Sequence, residues 1–289
     1  MRRLHVKILT IFLILIPALS GCSFVSKEAP APIPTFAPPT LVPTPAPAKG
    51  AVILLKEGES LNIHLSAGEE SKVIGTLPAR AAGIPLLGGE ELIGEELWVE
   101  IQASTGEAGW VNARYLTEYL PAEIFCADPQ IQYLLDDFYV ALENKDGDLL
   151  ASLISPTHGL DLRYYRYGTV ANYTPEKAGW VFKSDYQVNW GNEPGSGFEK
   201  IGSFSEIPLP TLLEVFGADY QLSCNDVGIA ASFAPEPWLF EYTNINFYQL
   251  FKPGTEEYAQ MDWQSWLVGV EYVDGKPYIF ALIHFEWTP

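Results

Sequence analysis

The sequence predicts a small β-barrel followed by an α+β domain, in which N-terminal helices precede a curved antiparallel sheet. Three observations predict this fold class. Short apolar runs alternate with turn residues over 51–119. An apolar face then recurs at helical spacing between Ile131 and Leu142. Beyond Pro156 the chain is rich in Tyr, Trp, Phe and Val with Pro and Gly between the runs, which is typical of strands.

The first of these segments contains five or six short runs that read as strands. The runs are 51–55, 60–64, 73–77, 83–87, 97–101 and 109–111. Turn signals separate them at Ala67-Gly68, Gly88-Gly89 and 104–106. Strands of this length and spacing favour a small barrel over residues 51–119.

The segment 121–289 begins with helix signals. Asp128 is a suitable N-cap, and Pro129 suits the first turn. Asp148 is expected to cap a second helix that ends near Leu153, and a third helix is predicted over 209–216. The predicted strands are 179–182, 188–191, 245–251, 266–273 and 278–287. Asp274-Gly275 between the last two is a strong hairpin signal.

The N-terminus has the pattern of an export signal over residues 1–21. Three cations precede an apolar run from Ile8 to Leu19, which is too short to span a bilayer as a mature helix. Leu19-Ser-Gly-Cys22 resembles a bacterial lipobox, and the resemblance implies that the Cys22 thiol carries lipid, with acyl chains such as palmitate. Ser23 is not the aspartate that retains such proteins in the inner membrane. We therefore expect an extracytoplasmic, lipid-anchored protein on the cell membrane or the outer membrane.

The segment 22–50 is expected to be an extended tether. Eight prolines occur between Lys27 and Lys49, and proline fixes φ and removes a backbone donor. A polyproline spacer of this kind would hold the folded part away from the lipid surface.

Charge and cysteine content limit the possible functions. The chain carries −19, and removal of residues 1–21 takes away three of 17 cations and none of 36 carboxylates, which leaves −22. Such acidity repels the phosphate backbone, so nucleic-acid binding is excluded. With Cys22 acylated, Cys126 and Cys224 remain as one even pair, and a disulfide between them is predicted in an oxidising compartment.

Motifs in 51–119 resemble the bacterial SH3-like domain. The matching phrases are Leu61-Asn-Ile-His64, Val73-Ile-Gly-Thr-Leu77, Trp98-Val99, Gly106-Glu-Ala-Gly-Trp-Val111 and Tyr115-Leu116. His64 stands where that family has arginine, and the family's Pro-Gly turn is missing from 65–70. The resemblance implies binding to cell-wall peptide or glycan. Trp98, Trp110 and Tyr115 are the candidate ligand residues, although each would also suit a barrel core.

The order of elements in 121–289 resembles the cone of nuclear-transport-factor-2-like proteins, with the phrase 138–148 as its best local support. The phrases 155–159 and 284–288 also resemble a surface-lipoprotein domain of unknown role. No activity follows from either resemblance. The Tyr164-Tyr-Arg-Tyr167 cluster would suit a ligand-binding lip or sheet packing.

His158 and His284 are the histidines of this domain and are candidate ligand-binding residues. No metal-ligand spacing or nucleophile motif occurs, so no cofactor, metal or catalytic residue is assigned. Three hypotheses remain: a binding or scaffold protein with an unknown protein partner, a wall-active enzyme, and capture of a small ligand. Convergence of His158 with His284, or of paired carboxylates, would favour the enzyme. An aromatic-lined pocket would favour the small ligand.

Overall fold

A computed structural model describes residues 48–228 and 236–288 of the chain. The predicted signal over 1–21, the predicted lipidation site Cys22 and most of the predicted tether over 22–50 lie outside these ranges. Lys49 and Gly50, assigned to the tether, instead begin a strand. Of the helices within them, none has the length and hydropathy needed to cross a bilayer.

Residues 49–118 form a seven-stranded sheet. Its strands are β1 (Lys49–Val52), β2 (Ser60–His64), β3 (Val73–Pro78), β4 (Ala82–Ile93), β5 (Glu96–Gln102), β6 (Ala108–Asn112) and β7 (Leu116–Glu118). Neighbouring strands follow the order β3-β2-β6-β5-β4-β1-β7. Each of the six predicted runs overlaps a strand of this sheet, although the run 51–55 continues beyond β1, which ends at Val52. Its two end strands, β3 and β7, do not pair, so the described strands form an open sheet and do not close into the predicted small barrel.

Helices follow this sheet. They are α1 (Ala122–Phe125), α2 (Gln130–Asn144), α3 (Gly147–Leu153), α4 (Pro175–Trp180) and α5 (Pro208–Phe216). Asp128 is the expected N-cap of α2, but that position is occupied by Pro129; Asp128 Oδ1 accepts from the Gln130 backbone N–H at 2.9 Å from one residue earlier. The cap of α3 is Asp146 rather than Asp148, since Asp146 Oδ1 accepts from the Leu149 N–H. The strand predicted over 179–182 is wrong: Thr174 caps α4 there, with Pro175 in its first turn.

A six-stranded sheet completes the α+β fold. Its strands are β8 (Leu160–Arg163), β9 (Ala171–Tyr173), β12 (Gln221–Cys224), β13 (Asn246–Lys252), β14 (Gln264–Val273) and β15 (Lys276–Glu286), in the order β12-β13-β14-β15-β8-β9. A separate hairpin pairs β10 (Val188–Asn192) with β11 (Glu199–Gly202). The predicted Asp274-Gly275 hairpin is confirmed, with φ near +52° and +71°. One pair departs from the expected antiparallel order, because β8 runs parallel to β15.

Each face of the six-stranded sheet covers a different core. Helices α2 and α5 pack on one face around Phe138, Leu212 and Trp266. The opposite face packs Phe280 and Ile283 against Ile53, which follows β1 of the first sheet. Because Ile53 is buried in this second core, the two sheets share apolar packing.

Polar contacts also join the two sheets. The Asn244 side-chain amide donates to the backbone carbonyls of Val52 and Ala81 at 2.7 and 3.1 Å. The Glu118 carboxylate accepts from the Asp274 and Gly275 backbone N–H groups at the β14–β15 turn. The sheets are therefore fixed by both packing and hydrogen bonds.

The predicted disulfide between Cys126 and Cys224 is present, with 5.9 Å between the Cα atoms. It joins the residue after α1 to the last residue of β12, the end strand of the six-stranded sheet. A crosslink that closes a loop of this length stabilises a fold mainly by restricting the unfolded chain.

Candidate functional site

A groove of about 660 Å³ lies on the first sheet. Residues from β2, the 65–72 loop, β5 and the turn after β6 line it, and they include Glu59, Asn62, His64, Glu69, Trp98 and Tyr115. Two of the three aromatic residues singled out in the sequence, Trp98 and Tyr115, thus meet in one site. We call this site the β2–β5 groove.

Trp98 faces the groove because of its strand register. β5 pairs Trp98 with Asn112 and Val99 with Val111, and directly opposed residues share a face of the sheet. Val111 belongs to the core of the first sheet, so Trp98 and Asn112 point to the other face. Although Trp98 is only 2% exposed, it lies outside that core.

His64 forms part of the wall beside Trp98. Its Nδ1 lies 2.9 Å from the Ser71 backbone carbonyl, to which it donates, and its ring meets the Trp98 ring edge-on at 5.1 Å. With the hydrogen on Nδ1, Nε2 of the neutral ring is an acceptor. His64 therefore fixes the 65–71 loop.

Tyr115 is positioned by a short turn. The Asn112 side chain caps this turn by accepting from the Arg114 N–H at 3.0 Å. The Tyr115 backbone carbonyl accepts from the Ile53 N–H at 3.1 Å, so the turn is also tied to the chain segment shared with the second sheet. The Tyr115 side chain is half-buried and borders the groove.

Trp110 lies on the same sheet face as Trp98 but does not line the groove. It is half-buried, and it stands opposite Glu100 on β5 and opposite His64 on β2. Trp110 therefore continues the aromatic row beyond the groove.

The edge of the groove is acidic. Glu59 and Glu69 are both exposed and both line it. The Glu59 carboxylate accepts from the Lys56 backbone N–H at 2.8 Å, which orients it. Two exposed carboxylates over an aromatic floor provide attraction for a cation.

Sequence reasoning did not assign these carboxylates, and it left Trp98 between a ligand-binding and a core position. A signal was present in β5, where Val99 and Ile101 alternate with Trp98 and Glu100. A tryptophan that shares its strand face with a glutamate points away from an apolar core. The hydrogen bond between His64 and the 65–71 loop carried no such signal, because its acceptor is the Ser71 backbone carbonyl.

His158 lies elsewhere, where the two sheets meet. Its Nδ1 is 2.7 Å from Glu271 Oε1, and its Nε2 is 3.0 Å from the Arg114 backbone carbonyl. Ser155 donates from Oγ to the other oxygen of Glu271 at 2.5 Å. Both partners of the ring, the Glu271 carboxylate and the Arg114 carbonyl, are acceptors.

This Ser-Glu-His cluster does not have the connectivity of a nucleophilic triad. Ser155 binds the carboxylate and not the imidazole, and the ring nitrogen that would serve as base is occupied by a backbone carbonyl. The cluster is a structural contact between the sheets.

His284 lies on the opposite face of the six-stranded sheet. Its ring lies between Tyr164 and Trp266, with centroid distances of 4.7 and 4.8 Å. Neither ring nitrogen completes a hydrogen bond of ordinary geometry, although the Tyr164 backbone lies close enough to act on the ring. Burial lowers the pKa of His284 to about 3, and the neighbouring Tyr164 backbone opposes this effect only in part.

The two histidines therefore do not converge. His158 contacts Phe280 of the core shared with the first sheet, whereas His284 contacts Trp266 of the core under the helices. Within residues 48–228 and 236–288, no group of three or more His, Cys, Asp or Glu side chains is placed to hold a metal ion. Nothing in this geometry assembles an acid–base pair from the two rings.

Comparisons with protein-family models, with curated proteins and with solved structures give no significant match for this chain.

Proposed function

We propose that this protein is a lipid-anchored, extracytoplasmic binding protein whose SH3-like β2–β5 groove contacts a cell-wall peptide. The leader pattern with Cys22 supports the anchor, and the motif residues support the module. The observation that carries the proposal is the convergence of Trp98, His64 and Tyr115 in one groove with an acidic edge.

The geometry favours peptide over glycan as the ligand. A sugar ring stacks on an open aromatic face, and Trp98 is only 2% exposed. Glu59 and Glu69 instead suit a peptide that carries a free ammonium group, as cross-linking peptides with diamino acids do. The Trp98 indole N–H is buried without an acceptor among the described residues. It would donate to a peptide oxygen that enters the groove.

The test is sedimentation of residues 45–289 with purified peptidoglycan over a range of salt. These residues form one compact unit, so the assay keeps both sheets together. Separate fragments would expose Ile53, which is buried against the second sheet. We expect co-sedimentation that weakens with salt, because exposed charges are screened.

A double variant, Glu59→Gln with Glu69→Gln, removes the acidic edge while keeping side-chain shape. We expect its affinity for peptidoglycan to fall about fivefold to tenfold at low salt, the amount that two exposed charge contacts supply. The matched control is Glu57→Gln with Glu70→Gln, which removes the same charge from exposed neighbours that do not line the groove.

Two results would contradict the proposal. One is the absence of co-sedimentation at any salt concentration. The other is an equal loss in the test and control variants, because that would reflect net charge and not the groove. Peptidoglycan stripped of its peptides should not compete, and competition by it would favour glycan as the ligand.

A further inference from the structure

A second cavity, of about 560 Å³, lies at one end of the six-stranded sheet. The pairing of β8 with β15 covers only Ala281–Ile283 of β15. After Arg163 the chain leaves the sheet, whereas β15 continues to Glu286. The β10–β11 hairpin contributes the facing wall through Gly191, Asn192 and Pro194. The cavity thus opens where two parallel strands separate, and we call it the β8–β15 cavity.

Aromatic side chains line much of this cavity. Tyr165 and Tyr167 come from the segment after β8. Phe285 of β15 borders the cavity, while its side chain packs in the core on the other face of the sheet. Tyr165 is buried, whereas Tyr167 is largely exposed at the edge. The segment 164–167 therefore combines the two roles considered for it, since Tyr164 packs in the sheet core and the next three residues border the cavity.

Unpartnered polar atoms converge on the same space. The Tyr165 hydroxyl, the Thr288 hydroxyl and both ring nitrogens of His284 are buried and lack hydrogen-bond partners. All three residues line the cavity. Buried polar groups without partners are costly and uncommon in native proteins. Three of them around one cavity indicate that a bound molecule completes their hydrogen bonds.

These polar groups are electrically neutral at physiological pH. Burial lowers the pKa of the His284 imidazole to about 3, so the ring is uncharged. Burial also raises the pKa of the Tyr165 hydroxyl well above its usual value, so the hydroxyl keeps its proton. Each group provides a directed donor or acceptor without net charge.

Arg166 and Glu286, which also line the cavity, do not change this conclusion. The Arg166 guanidinium donates to the Glu236 backbone carbonyl at 3.1 Å and lies over the Tyr167 ring, so it is already engaged. Burial raises the pKa of the Glu286 carboxyl and thereby disfavours its charged form. A full ligand charge would lose its hydration here without a dedicated partner.

We propose that the β8–β15 cavity binds an uncharged, ring-bearing small molecule that carries a hydroxyl or carbonyl group. Aromatic walls supply the affinity for the ring, and Tyr165, Thr288 and His284 supply the hydrogen bonds that orient it. The volume lies within the range of about 300–1,000 Å³ that small-molecule sites occupy. This function is independent of peptidoglycan binding, because the β2–β5 groove and the cavity share no lining residue.

The first test uses N-phenyl-1-naphthylamine, an uncharged fluorescent probe, with residues 45–289. We expect saturable fluorescence enhancement with one probe per chain. Thr169→Trp fills the cavity from an exposed lining position, and we expect it to weaken probe binding at least about tenfold. The matched control is Thr76→Trp, an exposed position on β3, which should bind the probe like the unmodified protein.

The second test asks whether the polar atoms take part. Displacement of the probe by 2-naphthol is compared with displacement by naphthalene, which has the same rings and no hydroxyl. We expect 2-naphthol to bind more tightly than naphthalene. Tyr165→Phe should reduce this affinity ratio about fivefold, which corresponds to the free energy of one hydrogen bond.

The proposal is overturned if the probe does not saturate, or if Thr169→Trp binds it as well as Thr76→Trp does. If Tyr165→Phe keeps the full preference for 2-naphthol, the assigned hydrogen bonding is wrong. Loss of probe binding in Thr169→Trp together with a retained melting temperature shows occupancy of the cavity and not unfolding.

Discussion

The two faces of the six-stranded sheet each hold one buried histidine, and their surroundings differ completely. On the face that meets the first sheet, both ring nitrogens of His158 have partners, the Glu271 carboxylate and the Arg114 carbonyl. On the face under the helices, His284 lies between two aromatic rings with neither nitrogen bonded. One site is complete in the protein alone, and the other is not.

This difference separates stability from binding. A buried polar group that is fully bonded contributes to the fold, because its removal leaves its partners without compensation. A buried polar group without partners costs stability, and its retention indicates a task beyond folding. Substitutions on the His158 face are therefore expected to lower stability. Substitutions on the His284 face are expected to change stability little while weakening the proposed ligand binding.

The largest expected effect comes from His158→Ala. This change leaves the Glu271 carboxylate, which is 2% exposed, without the imidazole that contacts its Oε1. It also removes the donor to Arg114 of the first sheet. We expect the free energy of unfolding at pH 7 to fall by about 3–5 kcal/mol, as for other broken buried pairs. Urea denaturation followed by tryptophan fluorescence measures it.

The control is His158→Ala combined with Glu271→Gln, which removes the stranded charge. The double variant should lose less than the sum of the two single variants, because the two residues interact directly. A loss below about 1 kcal/mol for His158→Ala alone would mean that the contact does not fasten the sheets.

The second prediction concerns pH and the His284 face. The folded protein holds the pKa of His284 near 3, below its usual value of 6.5. The unfolded chain therefore binds a proton as pH falls below about 6.5 while the folded protein does not, so stability present above that pH is lost on acidification. Between pH 7 and pH 5 this costs about 2 kcal/mol.

His284→Phe removes this titration while keeping a ring between Tyr164 and Trp266. Between pH 7 and pH 5 the free energy of unfolding should therefore fall less in this variant than in the unmodified protein. The difference should be about 2 kcal/mol. Burial raises the pKa of Glu286, which has an opposite pH effect, but this carboxyl is present in both proteins and cancels in the difference. Parallel pH profiles for the two proteins would show that His284 takes up a proton while folded.

Local sequence patterns predicted most elements of the fold. The apolar face from Ile131 to Leu142 forms α2, and Asp274-Gly275 forms the expected hairpin, because helix spacing and turn chemistry are written within a few residues. The cysteine pair followed from composition and compartment.

The missed features depend on contacts between distant residues. Closure of the first sheet would have required β3 to pair with β7, which no local pattern specifies. The parallel pairing of β8 with β15 joins residues about 120 positions apart. The sequence also contained no sign of the contrast between His158 and His284, since a histidine occurs both with and without hydrogen-bond partners. Glu271 lies 113 positions from His158, so only the fold brings them together.

The smallest expected effects come from deleting one hydroxyl on each face. Ser155 Oγ donates to Glu271 and accepts from the His158 backbone N–H, so Ser155→Ala should lower the unfolding free energy by about 1.5 kcal/mol. The Tyr165 hydroxyl has no partner, so Tyr165→Phe should change it by less than about 0.5 kcal/mol in either direction. Thermal unfolding at pH 7 measures both. A substantial loss for Tyr165→Phe would mean that its hydroxyl is bonded within the fold, and the two faces would then be alike in being complete without a ligand.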